Sequence, residues 1–178
     1  MHEELKKLWK TEDYWAVWLG IGIVLLALVV YSTGGTIAGW AVKPGSWSNL
    51  GALGTDFAKH LPHYLTIFAI FGVVFTFSMV AMDRKVGRFI PGFIILFLGS
   101  TVIFYLSSNT FIKATLHMGA PLLALIIGLI IGNIFKLPEW FHASLLTEYY
   151  IKTGIVLLGA TLPLTLIFNA GPIAFLQA

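Results

Sequence analysis

Glu148 and Lys152 are the charged residues whose spacing most clearly suggests chemistry. They lie four residues apart in TEYYIKTGIVLLGATLP, residues 147 to 163, directly before an apolar segment. On a helix this spacing places a carboxylate beside an ammonium group, and an exposed pair of this kind contributes about 0.3–0.5 kcal/mol. Two interpretations are therefore open: an ordinary surface pair at the mouth of a helix, or a lysine that concentrates anions near a binding site.

The apolar segment that follows contains several small and helix-breaking residues. Proline removes a backbone hydrogen bond, and freed backbone groups are tolerated at membrane depth only where protein or a water-filled cavity surrounds them. Broken helices of this kind build substrate sites in secondary transporters. The candidate substrate-binding residues are Glu148, Lys152, Thr153, Gly154, Gly159, Thr161 and Pro163, with Asn133 and Asn169 at helix ends or along the cavity.

Two further patterns have simpler interpretations. Gly128 and Gly132 have the GxxxG spacing that lets membrane helices approach closely, which favours packing within the chain or against a partner. The D-x3-H-x2-H pattern of residues 56 to 63 could place three metal ligands on one helix face. Because Pro62 is expected to interrupt such a helix, we expect ordinary residues of a surface loop instead.

No pattern typical of catalysis is present. The sequence has no nucleophile elbow, no Gly-rich phosphate loop, no metallopeptidase helix and no cysteine. All eight acidic residues are expected in loops or at the ends of apolar segments, so no intramembrane carboxylate pair is predicted. We therefore expect neither an enzyme nor a bound metal or other cofactor.

The composition predicts the surroundings of these residues. Of the 178 residues, 58% are hydrophobic and 11% are charged, and the mean hydropathy is +0.88. Soluble domains carry about a quarter charged residues, so this chain is predicted to be an integral membrane protein in contact with the lipid bilayer. The net charge of +3 comes from short basic clusters between apolar runs, which are typical of membrane topology signals rather than of nucleic-acid binding.

The apolar runs predict an all-α membrane protein with about five transmembrane helices. The predicted spans are residues 14–31, 63–82 and 89–106, a fourth from Pro121 to about Gly132, and a fifth from about Tyr150 that breaks at Pro163. The predicted regions are a polar cytoplasmic segment at residues 1–13, a three-span region at residues 14–118 with a long outer loop at residues 32–62, and residues 119–178 with the fourth span, the broken fifth span and the truncated start of a sixth. The apolar stub at the end is too short to cross a bilayer, so we expect the chain to be the first part of something longer.

The basic residues predict the orientation of these spans. Eight of the eleven lysines and arginines fall on the side of the N-terminus, and three fall on the other side. Since cytoplasmic loops carry the excess of basic residues, the N-terminus is predicted to be cytoplasmic.

Two stretches resemble the YeiH-like sulfate exporter family of bacterial membrane proteins. They are ALIIGLIIGN, residues 124 to 133, and YYIKTGIVLLGATLP, residues 149 to 163. The resemblance implies an inverted-repeat fold of about ten spans, related to sodium/proton antiporters and bile-acid transporters, in the bacterial inner (plasma) membrane. It also implies export of a small anion such as sulfate. The second half of the family pattern is absent from this sequence, so transport by this chain alone is not expected.

Two functions follow as hypotheses. The first is the N-terminal part of a secondary transporter that exports a small anion and needs the missing second half or a partner membrane subunit. The second is a small non-transporting membrane subunit or scaffold that packs through Gly128 and Gly132.

Overall fold

Helices make up most of the part of the chain that the structure describes. The computed structural model describes residues 10–35 and 42–161, with side chains through residue 158. In chain order its helices are α1 Glu12–Ser32, α2 Leu50–Ala81, α3 Val86–Ser108, α4 Thr110–Thr115, α5 Ala120–Ile134, α6 Glu139–His142 and α7 Thr147–Thr161. These residues form no strand beyond a single isolated bridge between Trp47 and Asn109. The predicted all-α class is confirmed.

Three of these helices, α1, α2 and α3, are long and apolar enough to cross a membrane. They contain 21, 32 and 23 residues, and at about 1.5 Å per residue each reaches the roughly 30 Å of the hydrocarbon core. Large apolar side chains on them stay exposed, with Val73 at 70% and Leu28 at 58%. Such surfaces are stable against lipid tails rather than water, so the chain is a multi-pass membrane protein.

The helices at the fourth and fifth predicted spans, α5 and α7, are shorter than α1, α2 and α3 within the described residues. Helix α5 has 15 residues, about 22 Å, which is less than the core of a bilayer. Helix α7 is described only as far as Thr161. The predicted break at Pro163 and the predicted start of a sixth span lie outside the described residues.

The predicted loop at residues 32–62 is wrong from residue 50 onward. Helix α2 begins at Leu50 because Asn49 caps it, accepting a hydrogen bond from the Ala52 backbone N–H at 2.8 Å. The helix also continues through Pro62. Pro62 has no N–H to donate to the Ala58 carbonyl one turn earlier, and this single missing hydrogen bond does not end a helix of 32 residues.

The contacts divide the chain into two units, which are described separately. The first unit comprises residues 1–37 and 146–178 and contains α1 and α7. The second comprises residues 38–145 and contains α2 to α6.

In the first unit, α1 and α7 pack against each other through small residues. Ala16 and Gly20 are buried on α1, and Tyr149 and Thr153 are buried on α7. A Cβ atom placed on Gly20 would lie 2.5 Å from the Cβ of Val156, so only glycine allows the two backbones to approach this closely.

In the second unit, α2 and α3 share a row of aromatic rings. The Phe68 ring centroid lies 5.6 Å from that of Phe93 and 5.1 Å from that of Phe97, and Phe75 packs edge-on against Phe93 at 5.8 Å. Directly before Phe93 on α3, Gly92 leaves room for the Ser144 side chain, which a Cβ atom would overlap. These contacts fix α3 between α2 and the segment that follows α6.

Candidate functional site

Lys152 lies at the centre of an ion-pair cluster in the first unit. Its Nζ donates to Asp13 Oδ1 at 2.5 Å and to Glu148 Oε2 at 2.8 Å. The side chains of Lys152, Asp13 and Glu148 are 39%, 65% and 74% exposed. The predicted pairing of Glu148 with Lys152 is therefore present, and Asp13 on α1 adds a second carboxylate.

This geometry determines what Lys152 can do in the arrangement observed. One ammonium group is held by two carboxylates, so these three side chains together carry one negative charge. Two of the three N–H donors of the ammonium group are used, so a small anion could bind the third or displace a carboxylate, in both cases against the negative charge of the cluster. The cluster as it stands therefore links α1 to α7 and does not present a cation without a partner.

Thr153 and Gly154 follow Lys152 on α7 in different surroundings. Thr153 is 4% exposed, and its hydroxyl donates to the Tyr149 carbonyl at 2.8 Å. The hydroxyl proton is therefore already used inside the helix. A Cβ atom at Gly154 would meet nothing within 4 Å, so packing does not require glycine there.

The remaining candidates on this segment lie at or beyond the limit of the described side chains. Gly159 and Thr161 belong to the last turns of α7, but their side chains are not described. Pro163 and Asn169 lie outside the described residues. Their assignment to a substrate site stays a prediction.

The candidates on α5 are not brought next to Lys152 by any described contact. Asn133 donates from its amide nitrogen to the Leu129 carbonyl at 2.7 Å, a bond to the preceding turn of its own helix. A Cβ atom at Gly128 or Gly132 would meet nothing within 4 Å. Packing through this GxxxG face stays a prediction, since no described residue of this chain covers it.

A polar cluster around Asp56 in the second unit was not predicted to be ordered. The Asp56 carboxylate accepts the Gly45 backbone N–H and the Tyr105 hydroxyl, both at 3.2 Å, and lies 3.3 Å from His60 Nδ1. The rings of Phe57, Tyr64 and Tyr105 pack beside it with centroids 5.7 to 6.2 Å apart. Helical periodicity through Pro62 was the sequence signal that could have placed Asp56 and His60 on one face.

The Asp56 cluster does not have the composition of a metal site. Among the described residues, no group of three His, Cys, Asp or Glu side chains is arranged to hold a metal ion. His63 belongs to the same pattern, but its ring centroid lies 6.5 Å from that of His60. The cluster instead ties the segment before α2 to the helices α2 and α3.

Long apolar helices and few charged groups define the class of this chain as an all-helical, multi-pass membrane protein. Residues 91–178 match the family described as Conserved hypothetical protein 698. This match, over just under half of the chain, confirms the predicted resemblance to the YeiH-like family.

Several relatives of the chain are longer membrane proteins. It is 34% identical over 120 residues to a UPF0324 membrane protein of Rhodopirellula baltica, and this alignment covers 66% of this chain and 21% of that protein. It is 30% identical over 186 aligned residues to a UPF0324 membrane protein of Nitrosomonas europaea, and this alignment covers 91% of this chain and 38% of that protein. The chain thus spans less than two fifths of the length of these relatives. No solved structure matches the chain.

Proposed function

We propose that this chain forms the N-terminal part of a secondary transporter that exports a small anion such as sulfate across the bacterial inner (plasma) membrane. The observation that carries the proposal is the alignment of 91% of this chain with only 38% of a longer membrane protein. A site formed between two repeats needs both of them. The remaining part of the transporter, supplied by a longer chain or by a partner subunit, completes the site.

In this proposal, α7 contributes one wall of the transport site. Lys152 lies one turn inside the start of α7, and the Gly, Thr and Pro residues follow it. Its two carboxylate partners are largely exposed to water, where each ion pair contributes only about 0–1 kcal/mol. An arriving anion can therefore replace a carboxylate at little cost in free energy. During transport, Lys152 exchanges a carboxylate partner for the transported anion.

Sulfate flux tests the proposal and the role of Lys152 together. The complete protein that contains this chain is reconstituted into liposomes loaded with radiolabelled sulfate, and efflux is compared with that of protein-free liposomes. We expect saturable efflux that Lys152→Gln lowers by about tenfold, because the cation near the site is lost. Lys136→Gln removes the same charge from an exposed position after α5 and serves as the matched control.

The possible results distinguish the role of Lys152 from sulfate export by the protein as a whole. Unchanged efflux in Lys152→Gln removes Lys152 from the mechanism but leaves transport intact. Efflux no faster than in protein-free liposomes, from protein that is still folded, contradicts export of sulfate. Repeating the assay with other small anions then decides whether the substrate class is wrong as well.

An alternative function is a non-transporting membrane subunit that packs through Gly128 and Gly132. The observation that favours it is the open face of α5, on which no residue is buried and neither glycine has a described neighbour within 4 Å of an added Cβ. Blue-native electrophoresis of Gly128→Leu tests this alternative. Loss of a larger complex as the primary defect favours the scaffold, and Gly99→Leu is the control, since Gly99 is an equally open glycine on α3.

A further inference from the structure

A cavity of about 520 Å³ opens at the end of α3 in the second unit. Its walls come from the segment before α2, the last turn of α3, α4 and the residues that lead into α5. Its lining includes the polar, basic and apolar side chains of Lys43, Phe104, Ser107, Lys113, His117 and Met118. None of the candidate transport residues on α7 takes part in it.

The backbone on two sides of the cavity is held by specific hydrogen bonds. Trp47 donates from its indole N–H to the Tyr105 carbonyl at 2.7 Å, and its own carbonyl accepts the Thr110 backbone N–H at 3.0 Å and the Thr110 hydroxyl at 2.7 Å. Gly45 is tied to Asp56. These bonds fix the segment that carries Lys43 against the ends of α2 and α3.

The opposite wall is shaped by a capped short helix and a sharp turn. Asn109 caps α4 by accepting the backbone N–H groups of Phe111 and Ile112 at 3.0 and 3.4 Å. This cap sets the orientation of the helix that carries Lys113. His117 has a φ of 52°, a left-handed conformation that is uncommon for histidine and that turns the chain toward α5.

The charge of the lining is of one sign. The lining of the cavity contains two lysines and a histidine but no carboxylate. Within the described part of the chain, Lys43, Lys113 and His117 have no ion pair or hydrogen bond from their side chains. The hydroxyls of Ser107 and Ser108 donate back to carbonyls of α3 at 2.8 and 2.9 Å, so the cationic groups are the donors left for a ligand.

We propose that this cavity binds a phosphate group, either the headgroup of an anionic membrane lipid or a free phosphate ion. Clustered cations without a carboxylate partner favour an anion with several acceptor oxygens. The cavity lies at the end of an apolar helix, and Phe104 and Phe111 near it are 52% and 62% exposed. By the predicted orientation this end of α3 lies on the side away from the cytoplasm, and lysines near a bilayer surface attract the headgroups of anionic lipids in the adjacent leaflet. The site is separate from α7 and does not depend on the proposed transport function.

Titration calorimetry of the full chain in a neutral detergent tests the proposal. The two probes are phosphatidylglycerol in mixed micelles and inorganic phosphate at constant ionic strength. Lys43→Gln/Lys113→Gln should weaken binding about thirtyfold, since each lysine near an anionic headgroup contributes a factor of roughly five. Lys85→Gln/Lys136→Gln removes the same charge beyond the opposite ends of α3 and α5 and should change the dissociation constant less than threefold.

Each outcome supports or overturns the proposal. If the double Gln variant loses phosphatidylglycerol binding and the unaltered chain does not bind inorganic phosphate, the site recognises a lipid headgroup. If the unaltered chain binds both probes, the site recognises the phosphate ion itself. Lys43→Arg/Lys113→Arg keeps the charge and should keep binding within about threefold. If neither probe binds, or if both Gln pairs weaken binding equally, the proposal is wrong. Where the double Gln variant does not fold, Lys113→Gln alone should weaken binding about fivefold.

Discussion

At the scale of single residues, Asp56 and Lys152 show how differently a charged side chain can act in the two units. Asp56 is partly buried and has three polar partners, on the segment before α2 and on the helices α2 and α3. Lys152 has two carboxylate partners that are largely open to water. We therefore expect Asp56 to matter for stability and Lys152 to matter for function.

Asp56→Ala should loosen the segment before α2. The substitution removes the acceptor of the exposed Gly45 N–H and of the part-buried Tyr105 hydroxyl, and each lost hydrogen bond costs about 0.5–1.5 kcal/mol. We expect a lower midpoint of thermal unfolding and faster amide hydrogen exchange in residues 45–48, which lie on the released segment. Lys59→Ala, at an exposed position on the same helix, should change neither. Equal effects from the two variants would show that the contacts of Asp56 do not hold the segment.

The pairing of Glu148 with Lys152 could be predicted from the sequence, but the third member of the cluster could not. A separation of four residues on a helix places two side chains together whatever the rest of the fold does. Asp13 lies 139 positions from Lys152, and only the packing of α1 on α7 brings the two together. That packing depends on tertiary contacts, which a local pattern does not record.

At the scale of elements, the apolar runs predicted the long helices well and their polar ends poorly. The predicted spans 14–31 and 89–106 correspond to α1 and α3, because a run of apolar residues in lipid must be helical. The start of α2 was missed because two glycines, Asp56 and Pro62 interrupt the apolar residues of the segment 50–62. The Asn49 cap sets the start of the helix despite those local preferences. At 32 residues, about 48 Å, α2 extends beyond the hydrocarbon core.

The close packing of α1 on α7 can be tested with two neighbouring glycines. Gly20→Leu should overlap Val156 and force the helices apart, which lowers stability by about 1–3 kcal/mol. Gly22→Leu is the matched control, because a Cβ atom there meets nothing within 4 Å. Thermal unfolding of both variants in detergent measures the difference. Equal destabilisation would contradict the packing of α1 on α7 through Gly20.

At the scale of the whole molecule, the two units and the family alignment lead to one account. The first unit joins α1 to α7, and α7 carries most of the candidate transport residues. The second unit holds α2 to α6 with the basic cavity. The Nitrosomonas europaea relative is far longer than this chain. The central claim is therefore that these residues are the first part of a longer transporter, whose remaining part completes the transport site.

The intact mass of the native protein, isolated from membranes of its source and measured by mass spectrometry, tests this claim most directly. An antibody against residues 1–13 identifies the product in the membrane fraction. The account predicts either a mass of at least about twice the 19.6 kDa of this chain or a 19.6 kDa product that copurifies with a partner membrane subunit. A single product of 19.6 kDa, purified without a membrane partner, would contradict it.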